Sequence, residues 1–134
     1  QQIADICEQF DVIKIGFDGW NAAGPTQLMK LNGIPQHALE KMPQTTATFN
    51  EPFRQMLAWI GNGKFKHNGN AVLRWMAANT VAIEDTGGRI KPDKKKSQEK
   101  IDGIVSTLMG MALGIKYGSD AGAYTDENAG VILF

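Results

Sequence analysis

Two aspartates stand where a carboxylate could do chemistry, and the first is Asp18. It follows the mostly apolar run 11–17, DVIKIGF, and is followed at once by Gly19. The β-branched and aromatic residues of that run predict a short buried strand. Ligands bind beyond the carboxyl ends of strands in open α/β sheets, so Asp18 is a candidate ligand-binding residue. The ordinary alternative is a turn or helix-capping aspartate, since Asp is common in turns.

The second carboxylate, Asp102, lies in an apolar segment with helical spacing. That spacing predicts a helix that begins at a Ser97 cap and ends at about residue 117. At ~100° per residue, Asp102 falls at the edge of the apolar arc, so we expect its side chain to be half buried. A buried carboxylate needs a partner, which could be a metal ion, Lys96 or Lys100. The alternative is a favourable position for a negative charge near the helix N-terminus.

Such a pair of carboxylates could share a divalent cation, because Mg²⁺ prefers oxygen ligands. Two such ions ~4 Å apart can activate water and stabilise the leaving oxygen in phosphodiester cleavage. Residues 64–100, between the aspartates, hold nine Lys/Arg and four Asp/Glu, a net charge of +5. The flanking segments carry −2 (residues 1–63, four against six) and −3 (residues 101–134, one against four). A basic block suits a nucleic-acid backbone, although a solvated face is the ordinary explanation of a single charged run.

Composition and motifs exclude several other classes. The 134 residues, 43% hydrophobic and 21% charged, are typical of one folded domain. A single cysteine, Cys7, allows neither an internal disulfide nor a cysteine zinc cluster. His37 and His67 lie outside any HExxH pattern, and no GxxxxGK[ST] phosphate loop occurs. No apolar run approaches ~18 residues and no signal peptide is recognisable, so we expect no membrane span.

Alternating helical and extended patterns around these residues predict an α/β fold. We expect a strand over 11–17 and another around 37–42, and a β-hairpin turning at 86–88. A helix with an Asn50 cap should present Phe53, Met56, Leu57 and Ile60 as its apolar stripe. Further helices are expected over 1–9, over 25–32 with Pro25 in the first turn and Gly33 just past the end, over 71–79 (AVLRWMAAN) and in the segment of Asp102. We expect the tail after residue 117 to be loosely ordered.

Residues 63–114 carry a longer and more specific pattern. The segment reads GKFKHNGNAVLRWMAANTVAIEDTGGRIKPDKKKSQEKIDGIVSTLMGMALG. It resembles the C-terminal nuclease domain of the large terminase subunit of tailed bacteriophages and prophages, of the HK97-like type. The pattern consists of a GK-x-x-H-x-G-N segment, VLRWM-x-x-N and KPDK-x-K-S-x-x-KIDGI. The stretch IGFDGWNA resembles the earlier aspartate element of the same family.

The resemblance implies a metal-dependent DNA endonuclease that cuts concatemeric viral DNA during genome packaging. It implies an RNase H-like fold (ribonuclease H/integrase superfamily) and a two-ion Mg²⁺ or Mn²⁺ site. Asp18 matches the acidic position after the fourth strand, and Asp102 matches the one on the last helix. The family's first metal-binding aspartate lies on a strand that has no match here. We therefore expect a fragment that lacks its first strands and the N-terminal ATPase motor domain, and that can be inactive in isolation.

On this interpretation residues 1–117 are a partial nuclease domain and residues 118–134 are a C-terminal tail. Double-stranded DNA is the expected partner, with the small terminase subunit and portal as partners of the full protein in the bacterial cytoplasm. The expected phosphate contacts are Lys64, Lys66, His67, Arg74, Arg89, Lys91, Lys94, Lys95 and Lys96. Two alternatives stay open: a junction resolvase or integrase-like nuclease, and a non-catalytic DNA-binding or assembly module.

Overall fold

The computed structural model describes residues 2–20 and 22–118. The expected tail, residues 118–134, lies outside the described residues except for Gly118. The chain divides between Gln44 and Thr45 into two compact units. Unit 1 contains α1 (Gln2–Gln9), β1 (Ile15–Phe17), α2 (Ala23–Leu31), a 3₁₀ turn (Gln36–Ala38) and β2 (Leu39–Lys41). Unit 2 contains α3 (Thr46–Gly61), α4 (Ala71–Asn79), β3 (Ala82–Glu84), β4 (Ile90–Pro92) and α5 (Asp102–Tyr117).

Unit 1 is built on a parallel pair of short strands. Strands β1 and β2 align Ile15 with Leu39 and Phe17 with Lys41, and α2 is the crossover that a parallel pair requires. Helix α2 ends before Gly33, whose positive φ of 85° suits glycine just past a helix. The expected strand over 11–17 is shorter than predicted, because only its last three residues pair with β2.

The long helix α3 of unit 2 begins five residues earlier than its sequence predicts. Thr45, not Asn50, is its cap, and the Thr45 hydroxyl accepts a hydrogen bond from the Thr48 N–H at 3.2 Å. Pro52 consequently lies inside the helix. Of the predicted apolar stripe, Phe53 and Met56 are buried with Phe49, whereas Leu57 and Ile60 are half exposed.

Helix α5 forms the centre of unit 2. Seven of its residues are buried, and they lie on most sides of the helix. Leu108 is fully buried, and Ile101, just before the helix, is almost so. A helix that is apolar nearly all round must be covered by other elements, and both α3 and α4 pack on α5. The predicted end near residue 117 is confirmed, but the helix begins at Asp102 and not at Ser97.

The two elements before α5 match their sequence predictions. Helix α4 covers AVLRWMAAN, residues 71–79, with Asn70 as a cap whose side chain accepts from the Leu73 N–H at 2.9 Å. Strands β3 and β4 form the predicted antiparallel hairpin, with Ile83 opposite Lys91. The described strands thus form two small two-stranded sheets in a mixed α/β fold. Among the described helices, none is long and apolar enough to span a membrane.

Candidate metal-binding carboxylates and basic turn

Asp18 lies at the carboxyl end of the parallel strand pair of unit 1. Its Oδ1 accepts a hydrogen bond from the Trp20 N–H at 3.2 Å, which is the local bond of a turn aspartate. Its Oδ2 accepts one from Gln44 Nε2 at 2.7 Å. The side chain is exposed. The position at a strand end and the turn role, which the sequence left as alternatives, therefore occur together.

The close approach of Gln44 to Asp18 follows from strand pairing. Strand β2 runs parallel to β1, and the Met42 N–H continues the ladder by donating to the Phe17 carbonyl at 2.9 Å. Gln44 follows Met42 by two residues, and this places it beside Asp18, the residue that follows Phe17. Nothing in the local sequence marks Gln44, because the two residues are 26 positions apart and only the parallel register joins them.

Gly19 and Trp20 form the exposed side of this turn. The side chain of Lys41 occupies the place where a β-carbon on Gly19 would lie, so only glycine fits without displacing it. Trp20 is 83% exposed. This exposure is compatible with a side chain that forms the wall of a site, and not with one that plugs the end of the sheet.

Asp102 is the first residue of α5, and its environment differs from the predicted one. Its side chain is 65% exposed, so the expectation of a half-buried carboxylate is wrong. The reason is the later helix start: no preceding helical turn covers Asp102. Its partner is Lys94, with Nζ 3.1 Å from Oδ1, and not Lys96 or Lys100. The negative charge in the first turn also suits the helix dipole, which was the alternative role.

Lys94 belongs to a well-defined segment, residues 93–97 (DKKKS), which we call the basic turn. Asp93 Oδ1 accepts from the backbone N–H of Lys95 at 2.8 Å, and the Ser97 hydroxyl donates to the Asp93 carbonyl at 2.7 Å. The turn is fixed to the residue before β3, because Asp93 N–H donates to the Val81 carbonyl at 2.8 Å and Val81 N–H donates to Ser97 Oγ at 3.1 Å. These bonds hold three consecutive lysines on an exposed loop.

Another carboxylate, Asp85, organises the loop between β3 and β4. Its oxygens accept from the Thr46 hydroxyl at 2.8 Å, from the backbone N–H groups of Gly87 and Arg89, and from Arg89 Nε at 2.9 Å. These hydrogen bonds lower the pKa of Asp85 from 3.8 to about 2, and the bond from the Thr46 hydroxyl has the largest effect. Arg89, an expected phosphate contact, is therefore held by an ion pair within the hairpin.

Helix α3 fixes the same hairpin through two residues, Asn50 and Arg54, whose role here has no signal in the local sequence. Arg54 Nη2 donates to the Gly88 carbonyl at 2.7 Å, and Asn50 Oδ1 accepts from the Ile90 N–H at 3.0 Å. Asn50 Oδ1 also accepts from Arg54 Nε at 3.1 Å. The Asn50 side chain, interpreted from sequence as a helix cap, instead joins α3 to β4.

The remaining expected phosphate contacts lie on three elements of unit 2. Lys64, Lys66 and His67 are in the loop between α3 and α4, Arg74 is on α4, and Lys91 is on β4. The lysines of that loop and Arg74 are exposed. His67 is half buried: its Nδ1 is enclosed and, among the described residues, finds no hydrogen-bond partner. Its ring borders a cavity of about 290 Å³ between α4 and α5.

The two aspartates fit a hard cation by the chemistry of their donor atoms. Both are exposed carboxylates, and Asp102 already has the cationic Lys94 ammonium at contact distance. Within residues 2–20 and 22–118, no group of three or more His, Cys, Asp or Glu could hold a metal ion. Mg²⁺ is commonly bound through one or two carboxylates, with waters and substrate phosphates completing its shell. Each carboxylate taken by itself therefore has the donor atoms that such an ion prefers.

Comparison with known proteins shows a consistent similarity over most of the chain. Residues 1–116 match the family model for "Terminase large subunit, endonuclease domain". The chain is 28% identical over 114 residues to the large terminase subunit of Enterobacteria phage HK97, covering 80% of this chain and 21% of that protein. It is 30% identical over 76 residues to Protein YmfN of Escherichia coli K12, covering 55% of this chain and 17% of that protein.

The structural comparison agrees with the sequence comparison. The crystal structure of the HK97 bacteriophage large terminase matches with a TM-score of 0.74 and 27% identity, over 84% of this chain and 23% of that chain. The chain therefore spans about a fifth of the length of the curated relatives it matches.

Proposed function

The chain belongs to the family of the terminase large subunit endonuclease domain, as its sequence predicted, and on this premise we propose that it is a metal-dependent DNA endonuclease domain. Its substrate would be double-stranded concatemeric viral DNA, cut during genome packaging. The observation that carries the proposal is the family match over residues 1–116, which includes both Asp18 and Asp102. The position of Asp18 at the carboxyl end of a parallel strand pair supports it.

Asp18 and Asp102 would be metal ligands in this proposal, with Mg²⁺ or Mn²⁺ as the ion. When bound, two such ions supply activated water and stabilise the leaving oxygen in phosphodiester cleavage. Gln44 would keep the Asp18 carboxylate in one orientation through its hydrogen bond at 2.7 Å. The basic turn would hold phosphates without reading sequence, because lysine contacts to the backbone are electrostatic.

The wider context of the activity is proposed with it. We take an RNase H-like fold as the architecture of the complete domain. In a full terminase the domain would work with an ATPase motor, a small terminase subunit and a portal in the bacterial cytoplasm.

Cleavage of supercoiled plasmid with Mn²⁺ tests the proposal. The assay uses a longer protein in which this chain follows an upstream strand that carries an aspartate. Asp18→Asn and Asp102→Asn should each abolish cutting, because each removes a charged ligand. Asp11→Asn and Glu99→Gln, exposed carboxylates in unit 1 and unit 2, are matched controls that should leave cutting intact. If both site variants cut like the parent protein, the ligand assignment is wrong.

A second candidate function, a non-catalytic DNA-binding module, is favoured by one specific observation. Both aspartates already have partners within the protein: Asp18 has Trp20 and Gln44, and Asp102 has Lys94. A binding module predicts that DNA affinity is the same in EDTA and in Mn²⁺ and survives loss of both carboxylates. Including a four-way junction beside linear duplex in the cleavage assay tests the resolvase alternative at the same time.

A further inference from the structure

The ion pair between Lys94 and Asp102 joins a proposed metal ligand to a proposed DNA contact. Lys94 Nζ lies 3.1 Å from Asp102 Oδ1, with the two side chains 47% and 65% exposed. While the two side chains are paired with each other, Asp102 cannot bind a metal ion and Lys94 cannot bind a phosphate. A divalent ion on Asp102 would lie close to the ammonium, and two cations at that distance repel each other.

Lys94 reaches Asp102 because of the way the basic turn is fixed. The bonds of Asp93 and Ser97 to Val81 set the position of the turn, and the backbone N–H of Lys95 is held by Asp93 Oδ1. The backbone of Lys94 is thus anchored on both sides. Its four-carbon side chain keeps rotational freedom at a half-exposed position, so the ammonium can move while the turn does not.

We propose that Lys94 is an exchangeable counter-ion that couples metal binding to DNA binding. Without a divalent ion, Lys94 neutralises Asp102. When the ion binds Asp102, it displaces the ammonium, which then pairs with a phosphate of the DNA backbone. This inference rests on the proposed function, because it takes Asp102 as a metal ligand, and it adds a regulatory role for a lysine that does not itself hold the metal.

Removing the Lys94 charge should have opposite effects on divalent-ion binding and on DNA binding. Removing the Lys94 charge should strengthen divalent-ion binding, because no ammonium has to be displaced from Asp102. The same change should weaken DNA binding only when the ion is present, because only then is Lys94 available to a phosphate. Ion binding and DNA binding are thus positively coupled through Lys94, and such coupling is reciprocal.

The expected size of the effect is set by the exposure of the pair. Exposed ion pairs contribute little, so the gain in metal affinity on removing Lys94 should be about two- to fivefold. Lys95 is the matched control, since it is the adjacent residue, carries the same charge and is exposed, and the structure shows no ion pair between it and Asp102.

The first experiment measures Mn²⁺ affinity of the 134-residue chain by water-proton relaxation, without DNA. Lys94→Gln should bind Mn²⁺ about two- to fivefold more tightly than Lys95→Gln, which corrects for the general loss of one positive charge. Asp102→Asn should lose this binding. If Asp102→Asn retains wild-type Mn²⁺ affinity, Asp102 is not a metal ligand and the proposed function is contradicted. If only Asp102→Asn behaves as expected, and Lys94→Gln equals Lys95→Gln, the counter-ion role alone is refuted.

The second experiment measures affinity for a duplex oligonucleotide in EDTA and in Ca²⁺, which has the charge of Mg²⁺ and is used so that binding is read without cleavage. Lys94→Gln should weaken binding in Ca²⁺ and leave it unchanged in EDTA. Lys95→Gln should weaken binding by a similar factor in both buffers, because its ammonium is not released by the ion. An equal effect of Lys94→Gln in EDTA and Ca²⁺ would overturn the inference.

Discussion

Gly103, the residue after Asp102, lies directly against helix α4. A β-carbon at Gly103 would lie 2.7 Å from Met76 Sδ and 3.4 Å from Leu73 Cδ1. The Gly103 N–H also points at Met76 Sδ, 3.2 Å away. Because α4 packs against bare backbone here, we predict that Gly103→Ala forces the two helices apart at the end where Asp102 lies.

The magnitude is a balance of two effects. Overpacking of this kind costs about 1–3 kcal/mol, toward the lower end here because Met76 is flexible. Alanine is a better helix former than glycine by up to about 1 kcal/mol, which offsets part of that cost. Gly103→Ala should therefore lower the free energy of unfolding by about 0–2 kcal/mol.

Gly110, on the same helix, is the matched control. An added β-carbon there meets nothing within 4 Å, so Gly110→Ala should raise stability by up to about 1 kcal/mol. The two chemically identical substitutions are thus expected to have opposite signs. Their unfolding free energies should differ by about 1–3 kcal/mol, the cost of overpacking alone.

Urea and thermal denaturation of the three proteins would measure this difference. For a chain of this size, 1 kcal/mol corresponds to a shift of about 3–5 °C in Tm. In a double-mutant cycle, Met76→Ala should remove most of the penalty of Gly103→Ala, with a coupling energy of about 1 kcal/mol or more. Equal stability of Gly103→Ala and Gly110→Ala, or no coupling to Met76, would show that the helices do not meet at Gly103 as described.

Two further predictions concern how the hairpin is held. Because the folded-state pKa of Asp85 is lowered to about 2 from 3.8, its stabilising effect should be complete above about pH 4 and disappear as pH falls toward 2. The difference in urea stability between wild type and Asp85→Asn should shrink over that window, and a constant difference would contradict the assignment. Asn50→Ala should cost about 1–2 kcal/mol, because the part-buried Ile90 N–H loses its acceptor. Asn50→Asp, which keeps an acceptor, should cost less, and equal losses in denaturation would argue against this bond.

The elements that the sequence predicts best are those fixed by local signals. Helix α4 has its Asn70 cap and a regular apolar pattern, and the hairpin has turn residues between two short β-branched runs. Helix starts were predicted less well. Ser97 has the chemistry of a cap, but its hydroxyl bonds the Asp93 carbonyl and the Val81 N–H instead. That competition between local capping and a distant strand cannot be read from a window of sequence.

In the candidate site, too, the features set by local sequence are predicted and those set by distant contacts are not. Asp18 follows directly from a strand pattern that ends in a carboxylate, and the prediction that it stands at a strand end is confirmed by the pairing of β1 with β2. Its partner Gln44 depends on the parallel register and carries no local signal. Asp102 is more exposed than its sequence predicts, because α5 begins at Asp102 and not at Ser97, so no preceding helical turn covers it.

The net charge of the basic block, residues 64–100, overstates how many cations are available to bind DNA. Within the protein, Arg89 is paired with Asp85 and Lys94 is paired with Asp102. Arg89 closes the hairpin loop by pairing with Asp85, whose pKa is lowered to about 2 by its hydrogen bonds, that from the Thr46 hydroxyl first. Lys94 is paired with Asp102 in an exposed contact, which in our proposal a divalent ion replaces. Arg89 thus stabilises the fold, whereas in our proposal Lys94 is released when a divalent ion binds, a difference that lies in their partners and not in the charge pattern.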